Sequence, residues 1–334
     1  MYNGIVISPK EHGMEFFKYA IVDIGANSVR MIIYDIDTES GRFYPIDSAR
    51  SLMGLAAYKE GGRLTPDGAG KLTAIIRDYL ARANSLPCDK FSAFATASLR
   101  GLSNAGELIT GIKKRFGVEI EIISGEEEAA YDFDAIRYRF GAEAYPHGVV
   151  IDMGGGSTEL IRFSGERAEA LTSMPLGCVM LGKKFIPEIK TSLFPNKKEM
   201  YDIKNYTRGV LAENQSFAES GENVYLIGGT GRAIAKLHIA AVGTDAKNTD
   251  GYTFPAADFA KIRKFAEDDI AAGAPFIRKN LSDRLTTIMP GIFAYEEVFA
   301  FLGTKNATVC ASGVREGYLL RFIHQDLARK SPEF

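Results

Sequence analysis

The sequence predicts an α/β protein made of two similar halves that face each other across a cleft. Three observations carry that prediction. Strand-like and helix-like patterns alternate along the chain. A glycine-rich strand–turn–strand unit occurs twice, once in each half. The length, 334 residues, suits about two domains at ~150 residues each. With 46% hydrophobic and 25% charged residues, the chain can bury a sizeable core, which excludes disorder for its bulk. Its 34 glycines are roughly a tenth of the chain against a usual ~7%, so their clusters are informative.

Residues 1–17 read as an extension. Residues 18–143 and 144–334 form the two halves, divided near GAEAYPHG (141–148), with the last helix free to pack back on the first half. In order, residues 19–37 form a hairpin around a Gly-Ala-Asn-Ser turn. A glycine-rich loop follows, and Thr65-Pro66-Asp67 opens an amphipathic helix to about Ala83. A strand starts at Phe91, a helix runs from Asn104 to Phe116 and stops at Gly117, and VEIEIIS is a strand. A helix spans Ser124 to about Phe140. Residues 148–163 are the second hairpin, followed by a strand at 168–174 and helices at 177–185 and 197–213. NVYLIGGTGRAIAKLH is a strand, a glycine turn and a helix, and residues 255–273 are helical.

The two hairpins align at a constant shift of 129 positions: Asp23 on Asp152, Gly25 on Gly154, Ser28 on Ser157. Glycine lets a turn bring its N–H groups against a ligand, and successive N–H groups form an anion-binding nest. The turns Gly25, Ala26, Asn27, Ser28 and Gly154, Gly155, Gly156, Ser157, with Thr158, are therefore candidate phosphate cradles. An aspartate beside a phosphate makes sense when it holds a divalent cation that bridges to it. Gly228, Gly229, Thr230 and Gly231 lie between a strand and a helix, where a nucleoside or phosphate can bind or the backbone simply turns along the cleft.

Other classes are disfavoured. Lys+Arg total 40 and Asp+Glu 42, a net charge of −2, so no global basic balance points to nucleic acid. Cys88, Cys178 and Cys310 are too scattered for a disulfide framework or a metal motif, and the four histidines read as structural or solvent-facing. No apolar run reaches the ~18 residues of a membrane helix, and the N-terminus lacks a signal-peptide pattern. The expectation is a soluble cytoplasmic protein with no nucleic-acid or membrane partner.

The motifs DIGANS (23–28), ATASLRGLSNA (95–105), IEIISGEEEA (120–129), VIDMGGGSTEL (150–160), LGCVMLGKKF (176–185), GGTGRAIAKL (228–237) and VREGYLL (314–320) resemble the Ppx/GppA family. Its members are exopolyphosphatases and guanosine pentaphosphate phosphohydrolases. The resemblance covers nearly the whole chain from Tyr19. It implies duplicated actin-like ATPase (ribonuclease H-like) domains and Mg2+-assisted hydrolysis of a terminal phosphoanhydride. The substrate would be inorganic polyphosphate or guanosine pentaphosphate, and a homodimer is the family-level expectation. It also implies Glu128 as catalytic base, Asp152 as an acid acting with metal and water, and Arg100 as a phosphate ligand with Asn104 near it. Asp152, Asp23 and Glu159 would hold the cation.

The chain departs from the family pattern in places. Ala26 stands where relatives carry Ser or Thr, and DRLTTIMPGIF (283–293) matches only loosely. The helical domain of long members, with its His-Asp ligands, has no counterpart, so the chain reads as a short two-domain form.

Taken alone, Ser124-Gly125-Glu126-Glu127 has capping-box spacing, so Glu126 and Glu127 suit a helix start. Glu128 lies past the cap, and a base for water activation gives it a reason to be acidic. Arginine suits bidentate phosphate binding, as would Arg100, though a surface ion pair would also account for it. Lys183, Lys184, Arg137 and Arg139 could line a path for a polyanion, but a solvated helix face explains each as well. Two rivals share these hairpins: an ATP-dependent small-molecule kinase and a non-catalytic polyphosphate or alarmone sensor.

Overall fold

The computed structural model describes residues 16–141, 144–186 and 195–327. Two mixed sheets of the same plan form its centre. In the first half, β1 (Phe16–Ile24), β2 (Ser28–Asp37) and β3 (Phe43–Leu52) make an antiparallel meander. After the small hairpin β4 (Lys59–Glu60) and β5 (Arg63–Leu64), helix α1 (Pro66–Ser85) leads to β6 (Lys90–Ala95), parallel to β1. Helix α2 (Ala105–Phe116) leads to β7 (Ile120–Ile122), parallel to β6, giving the order β3-β2-β1-β6-β7.

Helix α3 (Gly125–Phe140) then crosses to the second half. There β8 (His147–Met153), β9 (Thr158–Ser164) and β10 (Arg167–Met174) repeat the meander. Helices α4 (Cys178–Phe185) and α5 (Lys197–Ala212) precede β11 (Asn223–Ile227), parallel to β8. Then come α6 (Gly228–Val242), β12 (Thr253–Pro255), α7 (Phe259–Ala271), α8 (Pro275–Asn280), α9 (Ile288–Leu302), β13 (Asn306–Val309) and α10 (Val314–Phe322). The second sheet runs β10-β9-β8-β11-β13-β12.

The repeat extends to single hydrogen bonds. Gly25 N–H donates to the Ser28 carbonyl at 3.1 Å, and Gly154 N–H to the Ser157 carbonyl at 2.9 Å. The expected duplicated α/β fold of actin-like plan is therefore the fold observed.

Local signals set the helix starts. Thr65 caps α1 by accepting from Gly68 N–H. Ser124 and Glu127 form a reciprocal capping box on α3, as their spacing predicts, and Asn196 and Glu199 do the same for α5. Gly117 ends α2 in the left-handed conformation.

Two helices are exchanged between the sheets. Ala129, Phe133 and Ile136 of α3 pack on Val150, Ile161, Phe163, Tyr225 and Ile227 of the second sheet. Leu319 and Phe322 of α10 pack on Tyr19, Ile21 and Phe94 of the first. The helices cross so closely that a Cβ on Gly317 would overlap the Tyr131 backbone, so only glycine fits. Because α3 leaves the first sheet and lies on the second, its N-terminal half spans the cleft between them.

Strand β3 went unanticipated. Its sequence FYPIDSARSL carries Pro45 and several polar residues, which is tolerable because it lies at a sheet edge. Strand β1 begins at Phe16, inside the expected extension; residues 1–15 and 142–143 fall outside the described residues. Among the described residues, no helix is long and apolar enough to cross a membrane.

Candidate active site

The two glycine turns meet at the cleft. A Cβ on Gly155 would lie 3.0 Å from the Ala26 Cβ and 3.1 Å from Val179, and one on Gly156 would lie 3.3 Å from Ala97. Gly177 packs so tightly behind the second turn that a Cβ there would overlap the Gly155 backbone. Gly228 has φ +75°, and a Cβ on it would overlap a carboxylate oxygen of Asp152. The turn before α6 thus approaches Asp152 as only glycine allows. These segments line a cavity of about 130 Å³ together with Asp23, Glu128 and Asp152. A larger cavity, about 460 Å³, lies between the β2–β3 connection, α3 and α10 and contains none of these residues.

One wall is acidic. Glu128 sits one turn into α3, buried, and accepts from the Arg100 guanidinium at 3.0 Å. Burial, with Glu159 and Asp152 nearby, pushes its carboxyl well above the usual range, and Arg100 opposes this. Asp132 lies one further turn along the same helix face. It is fully buried, touches Asp152, and neither of its oxygens has a hydrogen-bond donor. Burial and the neighbouring acids push it well above the usual range too. Burial raises Asp152 to about 6, Arg232 opposing and Asp23 adding to the shift. Glu159, held by Ser173 at 2.6 Å, is raised to about 7 by burial and then by Asp152.

The cavity is also lined by cations. Arg30, Arg232, Arg284 and Arg315 all line the cavity. Arg315 pairs with Asp23 at 3.5 Å. Arg284 donates to the Thr230 hydroxyl at 3.1 Å, and Arg30 to the Ser28 hydroxyl at 3.3 Å. Burial, then repulsion from Arg315 and Arg232, lowers Arg30 to about 9. The halves are tied at the rim, where Arg50 pairs with Asp283, Asn27 donates to the Asp283 carbonyl, and Lys183 donates to the Ala56 carbonyl.

Most sequence-derived residues converge here: Gly25, Ala26, Asn27, Ser28, Gly154, Gly155, Gly156, Ser157, Gly228 and Gly229 line the cavity with the acids. Several do not act as expected. The Asn104 amide donates to and accepts from Leu64 backbone, at 2.8 and 2.9 Å, so it clamps the loop before α1 and does not reach phosphate. Arg100 is engaged by Glu128 and the Ile123 carbonyl, which makes it an orienter of the acid in this structure. The Thr158 hydroxyl donates to the Leu176 carbonyl and is fully buried, leaving no donor for a phosphate. Thr230 is buried under Arg284, and Gly231 packs on Leu226, so only the first half of the glycine loop faces the cleft.

The other basic candidates are engaged elsewhere: Arg137 with Glu166, Arg139 with Asp250, Lys184 over the Tyr206 ring. Sequence reasoning missed Asp132 and the arginine wall. The four-residue step from Glu128 to Asp132 was the available signal. The arginines come from distant segments and carried none.

The cation trio also needs revision. Asp23 faces Arg315 and Glu159 faces Ser173, and among the described residues no three His, Cys, Asp or Glu converge as a preformed metal site. The donor set still fits a hard divalent ion. Buried carboxylate oxygens without donors, at Asp132 beside Asp152, suit a cation that completes its shell with phosphate and water.

Comparison with known proteins places this geometry in context. Exopolyphosphatase 1 of Mycobacterium tuberculosis is 27% identical over 316 residues, covering 92% of this chain and 89% of the relative. Exopolyphosphatase 1 of Mycobacterium leprae is 25% identical over 316 residues, with 92% and 90% covered. The PPX-GPPA enzyme of Aquifex aeolicus superposes with a TM-score of 0.73 at 24% identity, covering 92% of this chain and all of the other. An exopolyphosphatase from Cytophaga hutchinsonii gives 0.77 at 21%, covering 92% and 98%. The family model described as the Ppx/GppA phosphatase family matches residues 32–326. With that match over most of its length, the chain belongs to the Ppx/GppA phosphatase family.

Proposed function

We propose that the cleft hydrolyses the terminal phosphoanhydride of inorganic polyphosphate with the help of a divalent cation such as Mg2+. The observation that carries the reading is Glu128. It is a buried carboxyl that faces Asp152 where the two glycine turns and the arginine wall meet. The names of the mycobacterial relatives support the choice of substrate. Guanosine pentaphosphate ends in the same phosphoanhydride and is the second substrate to test.

In this reading the terminal phosphate lies against the N–H groups of Ala26–Ser28 and Gly155–Ser157. Asp152, with Asp132 behind it, would hold the cation, and Glu159, held by Ser173, would act on it through Asp152. When bound, that ion would neutralise phosphate charge. Glu128 orients a water and accepts its proton as the water oxygen bonds to phosphorus and the bridging P–O bond breaks. The shortened chain leaves as an oxyanion and needs no proton. A raised pKa suits a base that must accept a proton near neutral pH, while Arg100 fixes its orientation.

Phosphate release by the purified protein tests this, with polyphosphate, guanosine pentaphosphate and ATP as parallel substrates, each with Mg2+ or EDTA. Metal-dependent release from polyphosphate is expected. Release from guanosine pentaphosphate alone would move the substrate to the alarmone. Release from none would favour the sensor or kinase readings, which ATP binding then separates.

A further inference from the structure

Four arginines line the cleft, and they differ in what they face. Arg315 has Asp23, Arg284 has Thr230 and Asp283, and Arg30 has Ser28. Arg232, on the first turns of α6, donates from one nitrogen to the Ala311 carbonyl. Among the described residues no carboxylate lies within ion-pair distance of it. Burial disfavours its charge, Arg315 and Arg284 repel it, and Asp152 and Glu316 attract it from further off.

A half-buried cation crowded by like charges is costly unless an anion joins it. The surroundings are built for one. Gly228 and Gly229 at the N-terminus of α6, and Gly313 and Val314 at that of α10, line the same cavity. The α6 start directs its N–H groups and the positive end of the helix dipole that way, whereas at the α10 start the Gly313 N–H is taken by the Glu316 carboxylate at 2.8 Å. The glycine turns line the same cavity, and Gly228 packs against Asp152.

We propose that Arg232, with the start of α6, forms a subsite for the phosphate next to the one that is cleaved. It would thereby select anions with at least two linked phosphates over orthophosphate. The proposal rests on the terminal-phosphate reading above. Arginine suits the task because its fork stays charged and can grip two oxygens at once.

The test uses the full chain carrying Glu128→Gln, so that ligands are bound and not turned over. Isothermal titration with orthophosphate, pyrophosphate and tripolyphosphate is run with Arg232 intact, with Arg232→Lys and with Arg232→Gln. Expected are unchanged orthophosphate affinity and a loss of roughly tenfold to a hundredfold for the two longer anions in Arg232→Gln. Arg232→Lys should fall between, and its intact orthophosphate binding reports a folded cleft. Unchanged tripolyphosphate affinity in Arg232→Gln would overturn the proposal, as would an equal loss for all three anions. If tripolyphosphate binds no tighter than orthophosphate with Arg232 intact, the polyphosphatase reading itself fails, and the subsite with it.

Discussion

Asp23 and Asp152 hold equivalent places in the two hairpins, yet they face different strand partners. Arg30 lies across from Asp23, and Glu159 lies across from Asp152. The turns are the same down to the Gly N–H to Ser carbonyl bond. Duplication has kept the backbone, which can cradle a phosphate from either side. Side-chain divergence has split the strand partners: the first hairpin sets an arginine across from its aspartate, the second a glutamate. The first is suited to hold an anion, the second to hold a cation and to handle a proton.

The largest expected contrast lies at the equivalent aspartates. Asp152→Asn should lower the rate of polyphosphate hydrolysis by roughly a hundredfold to a thousandfold, since cation assistance is worth several kcal/mol. Asp23→Asn, whose carboxyl mainly balances Arg315, should cost less than about tenfold. Equal losses in steady-state rates would erase the division.

Next come their strand partners. Arg30→Gln should raise KM about tenfold and leave Mg2+ affinity alone. Glu159→Gln should weaken Mg2+ by about tenfold to a hundredfold, read from the Mg2+ dependence of the rate. Swapped phenotypes would show that the charge pattern does not sort the two roles.

The acidic wall makes a smaller prediction about the metal-free protein. Glu159 is raised from 4.5 to about 7 and Asp152 from 3.8 to about 6. Both bind more protons folded than unfolded between those values, so stability falls as pH rises through that window. Thermal unfolding in EDTA should therefore occur at higher temperature near pH 5 than at pH 7.5. Added Mg2+ should raise the midpoint at pH 7.5 more than at pH 5. A midpoint that climbs steadily from pH 5 to 7.5 in EDTA would mean these carboxyls are not crowded.

The sequence made the paired hairpins legible because glycine turns flanked by apolar strands are local signals, and the constant spacing marked them as copies. Glu128 was legible only through its motif, and its burial against Asp152 depends on α3 crossing from one sheet to the other. The arginine wall was not legible. Arg30, Arg232, Arg284 and Arg315 come from four separate elements, and no local pattern joins them. Asn104 shows the opposite failure, a motif residue whose amide is satisfied by the Leu64 backbone. Asn104→Ala should accordingly cost about 1–3 kcal/mol of stability through its two hydrogen bonds and leave KM unchanged. A raised KM would return it to the site.

The account turns on Glu128 as the group that takes the water's proton. The most direct measurement is single-turnover phosphate release from polyphosphate by Glu128→Gln, alongside tripolyphosphate affinity in the same protein. A rate lowered by about a hundredfold to ten-thousandfold with affinity retained is the predicted result. Release at the unaltered rate would contradict the account, because the acid at the centre of the cleft would then have no part in the chemistry.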